Sequence, residues 1–228
     1  MKNKNDFYIT IISDTHGLHK RHYELFEYPN ADMIIHAGDI SSVGTITQIS
    51  SFLHWFENLP YKYKIFIAGN HDWGFENNSG IIKSMIPEDI IYLEDNSAEI
   101  EGIKFWGTPV SPKFNNWAFN KQRGDEIKKY WDLIPEGIDV LITHSPPFGI
   151  LDYVEYNHEY VGCQDLFNSL DRIKPKLHCF GHIHNMYGRY ETETCKFINA
   201  SSLNGRYIPA HKPFKVKINK ETKNITIL

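Results

Sequence analysis

Long apolar runs, paired cysteines and an excess of either charge are all missing from this chain, and each absence removes a class of protein. The N-terminal stretch MKNKNDFYITIISDTHG breaks at Asp14. It is too short for a membrane span and carries no signal-peptide cleavage pattern. Cys163, Cys179 and Cys195 are an odd number with no CxxC or paired spacing, which excludes a disulfide framework and a cysteine-rich structural zinc site. They fit a reducing compartment, so a cytoplasmic location is expected. A formal net charge of −4 over 228 residues gives no general attraction to nucleic acid or membrane, while leaving room for a local basic patch or a short polyanionic substrate. Low-complexity linkers, charge blocks and a repeat period are absent too. One domain over residues 1–228 is therefore expected, with roughly 70–75% of the unfolded surface available for burial.

Histidine, in contrast, is plentiful, with 12 residues. The hydrophobic pattern places strands at Phe7–Ser13, Ala31–His36 and Lys64–Ala68, with helices at Leu18–Phe26 and Thr45–Asn58 between them. That alternation predicts βαβ units around a parallel sheet. Shorter strands follow at Ile90–Leu93, Ala98–Ile100 and Ile103–Trp106. A helix is expected at Asp125–Trp131, a strand at Asp139–Thr143, a helix at Gln164–Ile173 and a strand at Lys176–Phe180. The tail from Met186 to Leu228 reads as antiparallel strands, with turns near Glu191–Thr194, Asn204-Gly205 and Lys220–Asn224. Two packed sheets flanked by helices is the simplest assembly.

Five short motifs end or follow these strands. They are Asp14-Thr15-His16, Gly38-Asp39, Gly69-Asn70-His71-Asp72, Thr143-His144 and Gly181-His182-Ile183-His184. In open α/β sheets ligands gather at the carboxyl ends of strands, so five such ends would converge on one cleft. Taken singly, Asp14-x-His16 reads equally as a turn-capping Asp beside a surface His, Gly38-Asp39 as a turn, and His144 as a structural histidine. Gly69-Asn70-His71-Asp72 is more specific. Its Asn offers a ligand oxygen without added charge, His71 suits protonating a leaving oxygen or holding a phosphate, and Asp72 is placed to fix the His71 tautomer. In Gly181-His182-x-His184 the i, i+2 imidazoles of an extended chain would point to one side. Together the motifs supply seven ligands and a spare histidine, as a two-metal phosphoester-hydrolysing site requires. The donor set is N and O without Cys, which favours hard or borderline cations. Two divalent metal ions are expected, Mn²⁺ first, with Fe or Zn²⁺ as alternatives. Outside the motifs, His36 and His178 are expected as hydrogen-bonded core residues. His19, His22, His54, His158 and His211 have no motif context. The aromatic stretch Phe114–Phe119, with Trp117, reads as packing or as a pocket wall.

The order D-x-H, G-D, G-N-H-D, H, G-H-x-H resembles the calcineurin-like metallophosphoesterase superfamily. The longer segments GDISSVG, LPYKYKIFIAGNHD, LITHSPPFGILD, KLHCFGHIHNMYG and FINASSLN resemble its branch of mammalian brain metallophosphoesterase-domain proteins, which is similar to the class III cyclic-nucleotide phosphodiesterases. The resemblance runs from about Tyr8 to Phe214. It implies an α/β fold, a four-layer α/β/β/α sandwich of two mixed sheets with a dinuclear centre. By position it places Asp14, His16, Asp39 and His184 on one metal. Asp39 would bridge to the other, completed by Asn70, His144 and His182. It gives His71 the phosphate contact and the leaving-group proton, with Asp72 behind it. After Asp39 the chain lacks the Asp-Arg-Gly extension of Ser/Thr protein phosphatases, which disfavours that role. His182 is present where one mammalian branch has lost it.

The expected activity is phosphodiester hydrolysis by a metal-bound hydroxide, with Asn70 and His71 contacting substrate and His71 as acid. A phosphomonoesterase is the enzymatic alternative. A non-catalytic scaffold of the retromer type is the alternative from another class, and retention of all seven ligands argues against it. The expected partner is a small phosphoester, with nucleotides and nucleic-acid ends among the candidates and no membrane. Substrate identity and oligomeric state are not written in the sequence.

Overall fold

The structure, a computed structural model, describes residues 4–228; the first three residues of the expected 1–228 domain lie outside it. The chain opens with β1 (Asp6–Ile12), α1 (His19–Leu25), β2 (Met33–Ala37), α2 (Ile46–Glu57), β3 (Tyr63–Ile67), α3 (Trp73–Asn77), α4 (Ser79–Ser84) and β4 (Ile90–Tyr92). It continues through β5 (Asn96–Ile100), β6 (Ile103–Thr108), β7 (Ser111–Pro112), β8 (Asn120–Lys121), α5 (Asp125–Leu133), β9 (Val140–Thr143), β10 (Tyr153–Val154), β11 (Glu159–Tyr160), α6 (Gln164–Ile173) and β12 (Leu177–Phe180). After a 3₁₀ turn at His184–Met186 come β13 (Gly188–Glu191), β14 (Lys196–Asn199), β15 (Phe214–Asn219) and β16 (Ile225–Ile227).

These strands form two six-stranded mixed sheets, ordered β16-β15-β1-β2-β3-β4 and β13-β14-β12-β9-β6-β5. Each has four parallel strands, β1 to β4 in the first and β14, β12, β9 and β6 in the second, with antiparallel strands at the edge. Alternation along the strands decides the layers. Ile9, Ile11, Met33, Ile35, Ile65 and Ile67 of the first sheet meet Phe105, Val140, Ile142, Cys179 and Ile198 of the second in one buried cluster. The intervening residues Ile34 and Phe66 face outward onto Ile49, Phe52, Leu53 and Phe56 of α2. Trp106 and Leu141 likewise face Ile127 and Trp131 of α5 and Leu166 and Ile173 of α6. A sheet covered on both faces favours apolar residues on both sides of each strand, and this is why β1, β2 and β9 read as largely apolar runs, broken only by Asp6, Thr10, His36 and Thr143. The product is the expected α/β/β/α sandwich.

Thr45 caps α2 by accepting a bond from the Gln48 backbone N–H at 3.3 Å, which explains the predicted start of that helix. The tail departs from expectation. β13 and β14 are antiparallel, but β14 lies parallel to β12, because the chain after His184 turns back before joining the sheet. The expected turn at Asn204-Gly205 belongs to an irregular segment between β14 and β15 that lies against the strand ends. Among the described residues, the three cysteines are buried and unpaired, and no helix is long and apolar enough to cross a membrane.

Candidate metal centre

The motif residues lie at the carboxyl ends of β1, β2, β3, β9 and β12, three in one sheet and two in the other. The backbone leaves these strands abruptly. Asp14, His16, Asp39 and His182 all adopt positive φ, at 51°, 42°, 53° and 68°, a conformation costing about 1–3 kcal/mol in a non-glycine residue and concentrated at functional sites. Two glycines permit the approach of the two sheets. A Cβ on Gly38 would sit 2.5 Å from His144 Nδ1, and one on Gly181 would overlap Asp14 Oδ2.

Three overlapping groups of donor atoms result, each lying within 4.8 Å of one another: Asp14, His16 and His184; His16, Asp39 and His71; and Asp39, His144 and His182. Asp39 Oδ2 stands 3.5 Å from His16 Nε2 and 3.2 Å from His144 Nε2, so it lies between two groups. Asn70 Oδ1 is 2.9 Å from His144 Nε2. Asp14 Oδ1 is 3.5 Å from His184 Nε2, which is itself 3.2 Å from His16 Nε2.

Hydrogen bonds from outside the groups orient these donors. Both oxygens of Asp14 accept from the His182 backbone N–H at 3.0 Å, and Oδ2 also accepts from Ser201 Oγ at 2.7 Å. His144 Nδ1 donates to the Ala37 carbonyl at 3.1 Å and His184 Nδ1 to the Asn204 carbonyl at 3.1 Å. With Nδ1 holding a proton, each ring, when neutral, turns its Nε2 lone pair inward. In His144 that lone pair meets two acceptor oxygens, an arrangement that repels unless a proton or a cation stands between them. The donor set therefore suits divalent cations.

The electrostatics agree. Burial opposes ionisation of Asp14 and Asp39, yet His184 holds the Asp14 carboxyl well below its usual range and His144 does the same for Asp39. Burial pulls His144 down, but Asp39 and Asp14 outweigh it and raise it to about 9. His16 and His182, dominated by burial, fall to about 4 and about 3. These two are neutral near pH 7, the state in which imidazole ligates a metal.

Two sequence readings need correction. His182-x-His184 is not extended chain. The positive φ at His182 and the 3₁₀ turn from His184 send the two imidazoles to different groups, His182 toward Asp39 and His184 toward Asp14. Nor does Asp72 hold His71. Its carboxylate accepts from the backbone N–H of Ile40, Ser41 and Gly69 and from Ser41 Oγ, at 2.6–3.1 Å. It ties the loop after β2 to the loop after β3. Burial and the charge of Asp39 push it up to about 7 against those donors. The His71 tautomer is set by the Ser42 carbonyl, which accepts from Nδ1 at 2.8 Å.

His36 and His178 are core residues as expected, each with Nε2 2.9 Å from a threonine hydroxyl, Thr15 and Thr143. Trp117 lines the site, stacked on His71 with centroids 4.1 Å apart and planes at 27°. Its loop is fixed by the Ala118 N–H donating to the Asn70 carbonyl at 3.0 Å. Sequence reasoning missed Ser42, Ser201, Asn204 and Tyr207. Tyr207 packs its ring 4.9 Å from both His16 and His184. Segments GDISSVG and FINASSLN contain the first three, but Ser42 and Asn204 act through backbone carbonyls, which leave no mark on residue type, and Ser201 through a lone hydroxyl.

Comparison with known proteins agrees with this geometry. Residues 7–186 match the profile of a family described as Calcineurin-like phosphoesterase. Metallophosphoesterase domain-containing protein 1 of Homo sapiens is 36% identical over 230 residues, covering 91% of this chain and 69% of that protein. A UPF0046 protein of Caenorhabditis elegans is 34% identical over 247 residues, covering 95% of this chain and 61% of its own length. Among solved structures, the protein TT1561 of Thermus thermophilus superposes with a TM-score of 0.60 at 12% identity, covering 97% of this chain and 98% of that one, a likeness of fold alone.

Proposed function

Since the chain belongs to the calcineurin-like phosphoesterase family, we propose that it hydrolyses phosphodiesters at a two-cation centre with His71 as the general acid. Asp14, His16 and His184 would hold one cation, His144, His182 and Asn70 the other, and Asp39 both. When bound, such cations polarise phosphoryl oxygens and acidify water. Mn²⁺ is the first candidate for both positions, and a nucleotide or other small phosphodiester for the substrate. With only Asp14 and Asp39 anionic among the seven residues, the protein leaves the centre net positive toward an anionic ester and its more charged transition state.

The placement of His71 carries the diester reading. Its Nδ1 is bonded to the Ser42 carbonyl and its ring is backed by Trp117, so Nε2 is the nitrogen left for substrate. The His71 backbone N–H donates to Asp39 Oδ1 at 2.8 Å, which ties the acid to the bridging carboxylate. A poor alkoxide leaving group needs a proton as the P–O bond breaks, and the imidazolium form of this ring, with its Nδ1–H on the Ser42 carbonyl, would carry a second proton on Nε2 to supply it.

Initial rates in Mn²⁺ with bis(p-nitrophenyl) phosphate and p-nitrophenyl phosphate test this, with Asp39→Ala as the blank. The diester is expected to turn over faster, and the blank to abolish the rate. A monoester preference would replace the proposal with a phosphatase. No rate with either ester, in protein carrying two cations, would replace it with a scaffold.

A further inference from the structure

Beside the centre, on a side that neither His71 nor Trp117 lines, a cavity of about 190 Å³ runs outward from His182 and His184 between Tyr207 and Tyr153, with Asn185 on its rim. Whole-ligand pockets run to roughly 300–1,000 Å³, so this one is sized for a single group of a substrate. Two phenol rings supply flat apolar walls. Asn185 uses Oδ1 to accept the Gly205 N–H at 3.0 Å, and among the described residues no acceptor engages its Nδ2. The Nδ2 amino group is therefore free to donate at the rim.

Both walls are built to stay where they are. Tyr207 stands on a turn in which Asn204 Oδ1 accepts from the backbone N–H of Arg206 at 2.9 Å and of Ile208 at 3.2 Å. The same Asn204 holds His184 through its carbonyl, so the wall is registered to the centre. Tyr153 lies on the short β10–β11 hairpin. There it faces Tyr160 across the strands, centroids 5.2 Å apart, and its hydroxyl is 3.0 Å from His158 Nδ1. Arg123 clamps the hairpin's base with bonds of 2.7 Å to the carbonyls of Val161 and Gly162. Asp152 Oδ2 accepts from the N–H of Gly149 and Gly162, both at 2.9 Å. Arg123 follows the strand that closes the Trp117 loop, so the loops on the two sides of the centre are fastened to each other.

We infer that this cavity binds the group that stays on phosphorus, and that it selects a flat ring, with Asn185 at the rim to donate to an acceptor where the ring carries one. The inference rests on the hydrolytic reading above. In that reaction the bond from phosphorus to the leaving oxygen breaks, that oxygen takes the His71 proton, and the oxygen of water remains on phosphorus. The leaving group must therefore lie toward His71, and the cavity, which His71 does not line, receives the other ester substituent. Tyr153 is then a specificity-determining residue that touches the substrate's retained group. The cavity also gives the protein a reason to prefer a diester, since a monoester has no second substituent to fill it. A simple aryl group and a nucleobase share the required chemistry.

Calorimetric binding of three monoester products in Mn²⁺ separates this inference from turnover: methyl phosphate, phenyl phosphate and adenosine 5′-monophosphate. A ring-bearing ester is expected to bind roughly 5- to 150-fold more tightly than methyl phosphate, the range that one base–aromatic contact spans. Tyr153→Ala should collapse that ratio and Tyr153→Phe should keep it. Tyr153→Leu, which fills the space without a flat face, should collapse it as well and guards against a collapsed hairpin. Tighter binding of adenosine 5′-monophosphate than of phenyl phosphate assigns the pocket to a nucleobase, and the reverse order assigns it to a simple aryl group. Equal affinity for all three esters, or a ratio that survives Tyr153→Ala and Tyr153→Leu, overturns the inference. A preserved ratio in a protein that hydrolyses neither chromogenic ester would keep the subsite and sink the hydrolase.

Discussion

His71 and Asp72 are neighbours with separate duties. The sequence singled out both, but not which groups hold them. His71 presents one ring nitrogen to the cleft and is anchored by a carbonyl, while Asp72 is buried beneath two loops with four donors on its carboxylate. Alanine at the two positions should therefore fail in opposite ways. His71→Ala is expected to lower kcat by roughly 10²–10⁴, the usual contribution of a general acid, with little change in urea midpoint. Asp72→Ala strands buried donors, each costing about 1–3 kcal/mol, and should cut stability before it cuts the intrinsic rate. Denaturation curves and kcat measured on both variants decide this. A His71→Ala protein with wild-type kcat would remove the acid from His71.

At the scale of elements, strands and long helices were legible because their periodicity is dictated by burial: α2 and β9 fall within a residue or two of expectation. The turns that deliver the ligands were not. Their positive φ falls on Asp14, His16, Asp39 and His182 as well as on Gly17 and Gly38, so glycine alone does not mark where the chain turns. The β10–β11 hairpin was equally silent, since two-residue strands have no period to read. Where glycine does appear, it marks close approach. Gly181→Ala would drive a methyl group into Asp14 Oδ2 and is expected to weaken Mn²⁺ binding by roughly 10- to 100-fold, as losses of ligand support do. Metal titration by calorimetry checks it, and unchanged affinity would show that the two loops can part without cost.

Across the whole molecule, each sheet buries one histidine behind its ligand loops, His36 in the first and His178 in the second, and burial lowers both to about 3. In the unfolded chain a histidine titrates near 6.5. Between those values the unfolded state binds the extra proton, so the stability these residues contribute is complete above pH 6.5 and is lost as pH falls toward 3. From pH 6.5 to 5 the loss is about 2 kcal/mol per residue. Metal-free His178→Gln, which keeps a donor for Thr143, should lose about that much less than the parent between pH 7 and pH 5 in urea titrations. Parallel pH profiles would assign the acid sensitivity elsewhere. The division of ligands has a consequence of another kind. Of the proposed ligands, Asp14, His16, Asp39 and Asn70 follow strands of the first sheet, and His144, His182 and His184 follow strands of the second. Neither sheet alone carries the full donor set, so on the proposed reading a half-assembled chain would be chemically silent, and turnover itself would announce that the two sheets have closed.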